Sequence, residues 1–166
     1  MSATKSPLPP NVYRQEQPGH VLAGTLVHRL FERHGTALSS GVIMDEALRL
    51  LRDDEAADVE DLEALLTRAR DAYVALSAQP ALVSALAAGE ALFEVPFSVR
   101  LGNAQMILRG TFDCLVRRPG GAVTVLELKT GKPMPEHDEQ LATYLAAARA
   151  LFPGAPVEGT LIYARD

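Results

Sequence analysis

Residues 122–129, AVTVLELK, are almost continuously apolar apart from Glu127 and Lys129. A short run of this kind is expected for a central strand covered on both faces, which calls for helices on either side of a sheet. The rest of the chain supplies them. Leu22, Leu26, Val27, Leu30 and Phe31 follow helical spacing, with Gly35 as a C-terminal cap. A second short helix fits Met44 to Leu51. Between Asp58 and Ser77 a stripe of Val59, Leu62, Leu65, Leu66, Ala69, Ala72, Tyr73 and Leu76 predicts a third. Pro80 suits the first turn of a fourth, alanine-rich helix that stops at Gly89.

After Gly89 the period changes from near 3.6 to 2. Phe93, Val95, Phe97, Val99 and Leu101 alternate with Glu94, Pro96, Ser98 and Arg100, a half-buried strand that Pro96 assigns to a sheet edge. Gly102-Asn103 turns it into a second strand from about Gln105 to Arg117, and Pro119-Gly120-Gly121 leads into the third. Glu139 to Leu151 reads as a helix, Pro153-Gly154 ends it, and 159–164 offers a last strand. The expectation is an α/β fold, a central mixed sheet of about four to five strands flanked by helices. It occupies residues 21–166 as one domain, behind a flexible extension over 1–20 rich in Pro, Ser and Gln.

A chain of 166 residues with 48% hydrophobic residues can bury a real core. Its one cysteine, Cys114, excludes a disulfide framework, a four-cysteine zinc site and a cysteine-ligated iron–sulfur cluster; it alternates to the face opposite Asp113 and reads as a small core residue. No signal-peptide core and no run of roughly 18 apolar residues is present, so the chain reads as cytoplasmic with no membrane partner.

Glu127 and Lys129, two apart, leave the same face of the third strand. If residues 119–121 form a three-residue loop, Arg118 pairs with Ala122 and Asp113 falls opposite Glu127, with Cβ atoms roughly 4.5–5.5 Å apart. Two carboxylates that close in an apolar setting need neutralising, and a divalent cation with oxygen ligands is the natural candidate. Lys129 would project beside it, able to orient or help deprotonate an attacking water and to offset developing charge. On residue types alone the trio reads as well as a cross-strand ion pair. The apolar context favours the site, because burying three charges without a ligand is costly.

The segments LRGTFDCLVR (108–117), VLELKTGKP (125–133), QLATY (140–144) and, upstream, GTLVHRLFE (24–32) resemble, in order and spacing, the four motifs of the RecB-like branch of the PD-(D/E)XK nuclease superfamily. The closest likeness is to the nuclease domain fused to UvrD-like helicases, the AddA or RecB type. The resemblance implies a restriction-endonuclease-like fold and Mg²⁺- or Mn²⁺-dependent hydrolysis of DNA phosphodiester bonds. It implies Asp113 and Glu127 as metal-binding carboxylates, Lys129 as the catalytic lysine, His28 as a further metal ligand and the backbone carbonyl of Leu128 as another. Gln140 and Tyr144, with Thr130, would hold substrate or order the site. Glu127 stands where many helicase-fused relatives have Asp.

The implied substrate is single-stranded DNA, cut to 5′-phosphate ends and fed by a helicase domain of the same polypeptide or by an AddB- or RecC-like subunit, in double-strand-break repair. Glu32, one turn from His28, could orient its ring or be solvated, and Glu94 reads at least as well as part of a polar strand face. His20, His34 and His137 match no motif and are expected in solvent. A nucleotide site is excluded, since Gly131-Lys132 lacks the Walker glycine at position 126, which is Leu, and the hydroxyl at 133, which is Pro. The alternative is a nuclease-fold module that binds DNA or a partner without cutting.

The net charge of −5 is unevenly spread. Residues 45–63 hold nine carboxylates and two arginines, a local −7, whereas 96–135 hold six basic and two acidic residues, a local +4. The acidic average therefore does not exclude DNA as a partner; it predicts binding that is weak, confined to one face, and dependent on the metal and on a motor or partner for grip.

Overall fold

The computed structural model describes residues 18–102 and 107–164. Asn103, the start of the second strand at Gln105 and all but the last three residues of the expected extension lie outside them. Five helices come first: α1 (Pro18–His34), α2 (Ile43–Leu50), α3 (Asp53–Ala56), α4 (Leu62–Ser77) and α5 (Pro80–Ala88). Strands β1 (Glu90–Arg100), β2 (Ile107–Arg117) and β3 (Val123–Lys129) follow, then α6 (Pro135–Leu151) and β4 (Val157–Tyr163).

The sheet has the order β1-β2-β3-β4, antiparallel across the first two pairings and parallel between β3 and β4, which α6 connects. This is the expected mixed α/β architecture, with Pro96 on an edge strand, where its missing N–H interrupts no inner ladder. Arg118 N–H donates to the Ala122 carbonyl at 2.9 Å across the three-residue turn, and the ladder runs from Arg117 opposite Val123 to Cys114 opposite Leu126. The register is the one expected.

Two cores sandwich the sheet. On one face Leu26, Leu30 and Phe31 of α1 and Leu65, Tyr73 and Leu76 of α4 pack on Cys114, Val116, Leu126 and Leu128. On the other, Ala147 and Ala148 of α6 pack on Phe97, Phe112, Leu115, Val123 and Val125. β3 is buried from Val123 to Leu128, which accounts for its apolar sequence. No helix among the described residues is long and apolar enough to cross a membrane.

Several boundaries differ from expectation for local reasons. The Asp61 carboxylate accepts from Ala64 N–H at 2.9 Å and caps α4 there, so Val59 precedes the helix instead of opening it. The acidic stretch before it holds a short unexpected helix, α3, whose Glu55 accepts from Arg52 N–H at 3.0 Å and pairs with Arg29 of α1 at 2.6 Å. α6 starts a turn early because Pro135 suits a first helical turn.

Candidate metal and catalytic site

α1 passes close over the end of β3 because residue 24 is glycine: a Cβ there would lie 3.1 Å from Thr130 Oγ1. One turn later His28 reaches the sheet. Its Nδ1 lies 2.7 Å from Glu94 Oε1 of β1 and 3.4 Å from Asp113 Oδ1 of β2.

The strands present these carboxylates through a local break in their alternation. In the β1–β2 ladder Phe93 pairs with Cys114 and Val95 with Phe112, so Glu94 lies opposite Asp113. Phe93 and Cys114 pack with the first core, yet Val95 and Phe112, two residues along, pack with the second. Regular strands would keep such pairs on one face. At the break Glu94 has φ +49°, a left-handed conformation that costs an L-residue about 1–2 kcal/mol. Beyond the end of the β2–β3 ladder, Leu128 N–H donates to Asp113 Oδ2 at 2.7 Å, so a carboxylate satisfies the donor that the departing strand leaves. Glu94 and Asp113 thus sit side by side on adjacent strands, close enough to Glu127 of β3 for the Asp113 charge to act on it.

Glu127 is fully buried. Its Oε2 lies 3.4 Å from Lys129 Nζ, and Oε1 has no hydrogen-bond partner. Burial, with the Asp113 charge adding, pushes its carboxyl up to about 8, against the pull of Lys129. Asp113 is likewise raised by burial, opposed by His28, the Leu128 N–H and Lys129. For His28 burial lowers the pKa, but the Glu94 hydrogen bond and the Asp113 charge outweigh it and raise the imidazole above its ordinary value.

Three carboxylates therefore face one lysine and one histidine, and a buried carboxylate oxygen is orphaned. That donor set fits a divalent cation with oxygen and imidazole ligands. Among the described residues, the group whose ligand atoms all lie within 4.8 Å of one another is His28, Glu94 and Asp113. Glu127 stands outside that trio, beside Lys129.

Gln140 Oε1 accepts from Lys129 Nζ at 2.7 Å, so the first turns of α6 fix the ammonium. Tyr144, one turn on, packs edge-on against Phe97 and Phe112 beneath the site, at centroid distances of 5.3 and 5.8 Å. Thr130 and Leu128 line a cavity of about 140 Å³ with His28, Lys129, Gly131 and His137. A larger cavity, about 450 Å³, lies at the opposite end of the sheet between Glu90, Arg117, Arg118 and Phe152 and includes none of these residues.

Sequence reasoning gave too little weight to two residues. Glu94 alternates with apolar neighbours like any solvated strand position, and nothing in the pattern marks its left-handed backbone. His137, expected in solvent, lines the small cavity and its Nδ1 is 2.9 Å from Tyr163 Oη. His34 is also half-buried, 3.2 Å from Glu46 of α2, whereas His20 is exposed as expected. Glu32 is exposed, and Glu94 orients His28. Cys114 is fully buried, its thiol pushed up to about 12 by burial, as suits a core residue.

The chain belongs to the PD-(D/E)XK nuclease superfamily, whose sequence model matches residues 8–166. Members of this superfamily are typically nucleases that use divalent metals. No curated protein sequence matches the chain. Among solved structures it is similar to the crystal structure of protein VC1899 from Vibrio cholerae, at 13% identity and a TM-score of 0.41. That match covers 91% of this chain and 48% of the other, so the chain spans about half the length of that structure.

Proposed function

We propose that this chain is a Mg²⁺- or Mn²⁺-dependent deoxyribonuclease of the RecB-like type, acting on single-stranded DNA. The observation that carries this reading is the pairing of an orphaned buried carboxylate oxygen on Glu127 with a lysine ammonium that Gln140 holds beside it. A bound cation supplies Lewis-acid polarisation of the phosphoryl oxygens and lowers the pKa of water. Asp113, Glu127, His28 and the Leu128 carbonyl would hold it, and Glu94 joins them either as a ligand or by fixing the His28 ring.

Lys129 orients the attacking water and offsets negative charge as it develops on the phosphate. The water oxygen bonds to phosphorus in line as the P–O3′ bond breaks; the water proton passes to solvent, and the 3′ oxygen leaves as a hydroxyl after taking a proton from solvent. Gln140 keeps Lys129 aimed, and Tyr144 supports the floor beneath it. In this reading the chain is the nuclease part of a helicase-nuclease used in double-strand-break processing, coupled to a helicase domain of the same polypeptide or to an AddB- or RecC-like subunit. The test is incubation of labelled single-stranded DNA with Mn²⁺ or Mg²⁺, beside Lys129→Ala. Cleavage that the variant loses supports the proposal. DNA binding without cleavage would instead make the chain a non-catalytic nuclease-fold module.

A further inference from the structure

Beyond Glu94 and Asp113, β1 and β2 continue as a ribbon whose outer half the site does not use. Phe97, Val99 and Leu108 turn toward α6 and pack in the second core. The alternate residues, Pro96, Ser98 and Arg100 of β1 with Ile107 and Arg109 of β2, are exposed. They share one face, because Pro96 pairs with Thr111, Ser98 with Arg109 and Arg100 with Ile107. The row starts at Glu94 and Asp113, whose carboxylates approach His28, so the exposed face is continuous with the site.

Charge on this stretch is one-sided. Between Glu94 and Asp113 the sequence has two arginines and no Asp or Glu. Among the described residues neither Arg100 nor Arg109 has a carboxylate partner, whereas Arg29, Arg70 and Arg118 elsewhere are each paired with one. At a rise of about 3.3 Å per residue, Arg109 lies about 13 Å from Asp113 and Arg100 about 20 Å from Glu94. Exposed apolar groups, Pro96 and Ile107, lie between or beside the cations.

We propose that this face of the β1–β2 ribbon is the track on which a single DNA strand lies as it enters the site. Arg100 and Arg109 hold phosphates, and Pro96 and Ile107 receive the bases. A ribbon of two strands about 4.8 Å apart offers one row of contacts, which suits one phosphate backbone better than two. An acidic peptide would satisfy the arginines but leave the apolar positions without planar partners. The direction of travel rests on the nuclease reading; the binding does not.

The test uses the full chain in EDTA, so that no cutting occurs, and follows the anisotropy of a labelled oligothymidylate through a salt titration. For the double variant Arg100→Ala/Arg109→Ala the slope of log K against log salt should shrink in magnitude by about 1.4, two single-strand phosphate contacts at about 0.7 each, with affinity lost several-fold. Arg100→Lys/Arg109→Lys should retain the slope, and Arg149→Ala, an exposed arginine on α6, should leave it unchanged. Thermal melting of each variant checks folding. A parent that binds no oligothymidylate, a double alanine variant that binds like the parent, or an equal loss in Arg149→Ala would overturn the track. Ribbon-dependent binding without Mn²⁺-dependent cleavage retires the nuclease reading and keeps the track; cleavage with ribbon-independent binding does the reverse.

Discussion

Leu128 N–H donates a 2.7 Å hydrogen bond to Oδ2 of Asp113, while the other oxygen of the same carboxylate lies 3.4 Å from His28 Nδ1. One side chain therefore ends a strand ladder and opens the site. The two roles separate by substitution. Asp113→Asn keeps an acceptor for Leu128 and should fold nearly as well as the parent, but lose Mn²⁺ binding measured by calorimetry. Asp113→Ala also leaves a buried N–H unpaired and should lose a further ~1–3 kcal/mol in denaturant unfolding. Equal stability of the two variants would count against the structural role.

Stability should depend on pH with a defined sign. Glu127 has its carboxyl raised from 4.5 to about 8, and Asp113 and His28 are raised as well. Each raised group contributes fully below its unfolded pKa and loses that contribution as pH rises through the folded value. In EDTA, the melting temperature should therefore fall between about pH 4.5 and pH 8. Glu127→Gln should flatten the upper part of that fall. Mn²⁺ should oppose it, since a cation favours the deprotonated ligands. Melting curves across pH, with EDTA and with Mn²⁺, check this; a flat profile in EDTA would contradict it.

The hydrogen bond from Lys129 to Gln140 makes the lysine's position depend on α6. Lys129→Ala should slow single-turnover cleavage on the order of 10²–10³-fold, the range for removing one charge-stabilising donor. Gln140→Ala should cost about 10–100-fold, as expected for a residue that acts by orienting another, with little change in melting temperature. A Gln140 effect as large as that of Lys129 would mean that the glutamine touches the substrate itself.

Gly110 leaves room for the aromatic cluster under the site. A Cβ there would meet Phe97 Cζ at 2.7 Å and Tyr144 Oη at 3.2 Å. Phe97 cannot swing aside easily, because it stacks on Phe112 at 4.4 Å. Gly110→Ala should destabilise by about 1–3 kcal/mol, and a smaller residue at 97 should recover part of the loss, which a double-mutant cycle in denaturant would measure.

At position 94 the left-handed backbone and the carboxylate can be assessed separately. Glu94→Gly and Glu94→Ala both remove the His28 partner, but only glycine relieves φ +49°. The glycine variant should be the more stable by about 1 kcal/mol, and both should lose metal affinity.

Much of the architecture was legible because it rests on periodicity and turn chemistry. The apolar run of β3 required helices on both faces, and the Pro119–Gly121 turn fixed the register as far as Cys114 opposite Leu126, one pair short of Asp113 and Glu127. Candidate site residues stood out where a residue broke its own pattern, as Glu127 and Lys129 do in an apolar strand. It was not legible where a residue obeyed the pattern. Glu94 looked solvated because the strand alternates around it, and the switch of faces between Phe93 and Val95 is a property of backbone dihedrals. His137 reached the cavity because α6 begins a turn earlier than its apolar stripe suggests, at Pro135.

The left-handed glutamate places stability and chemistry in opposition at one position. Glycine at 94 would relieve the backbone but remove the carboxylate that His28 contacts, so strain and contact are lost together. If the proposed site binds its cation, the strain at 94 is part of what it costs to set a carboxylate beside His28.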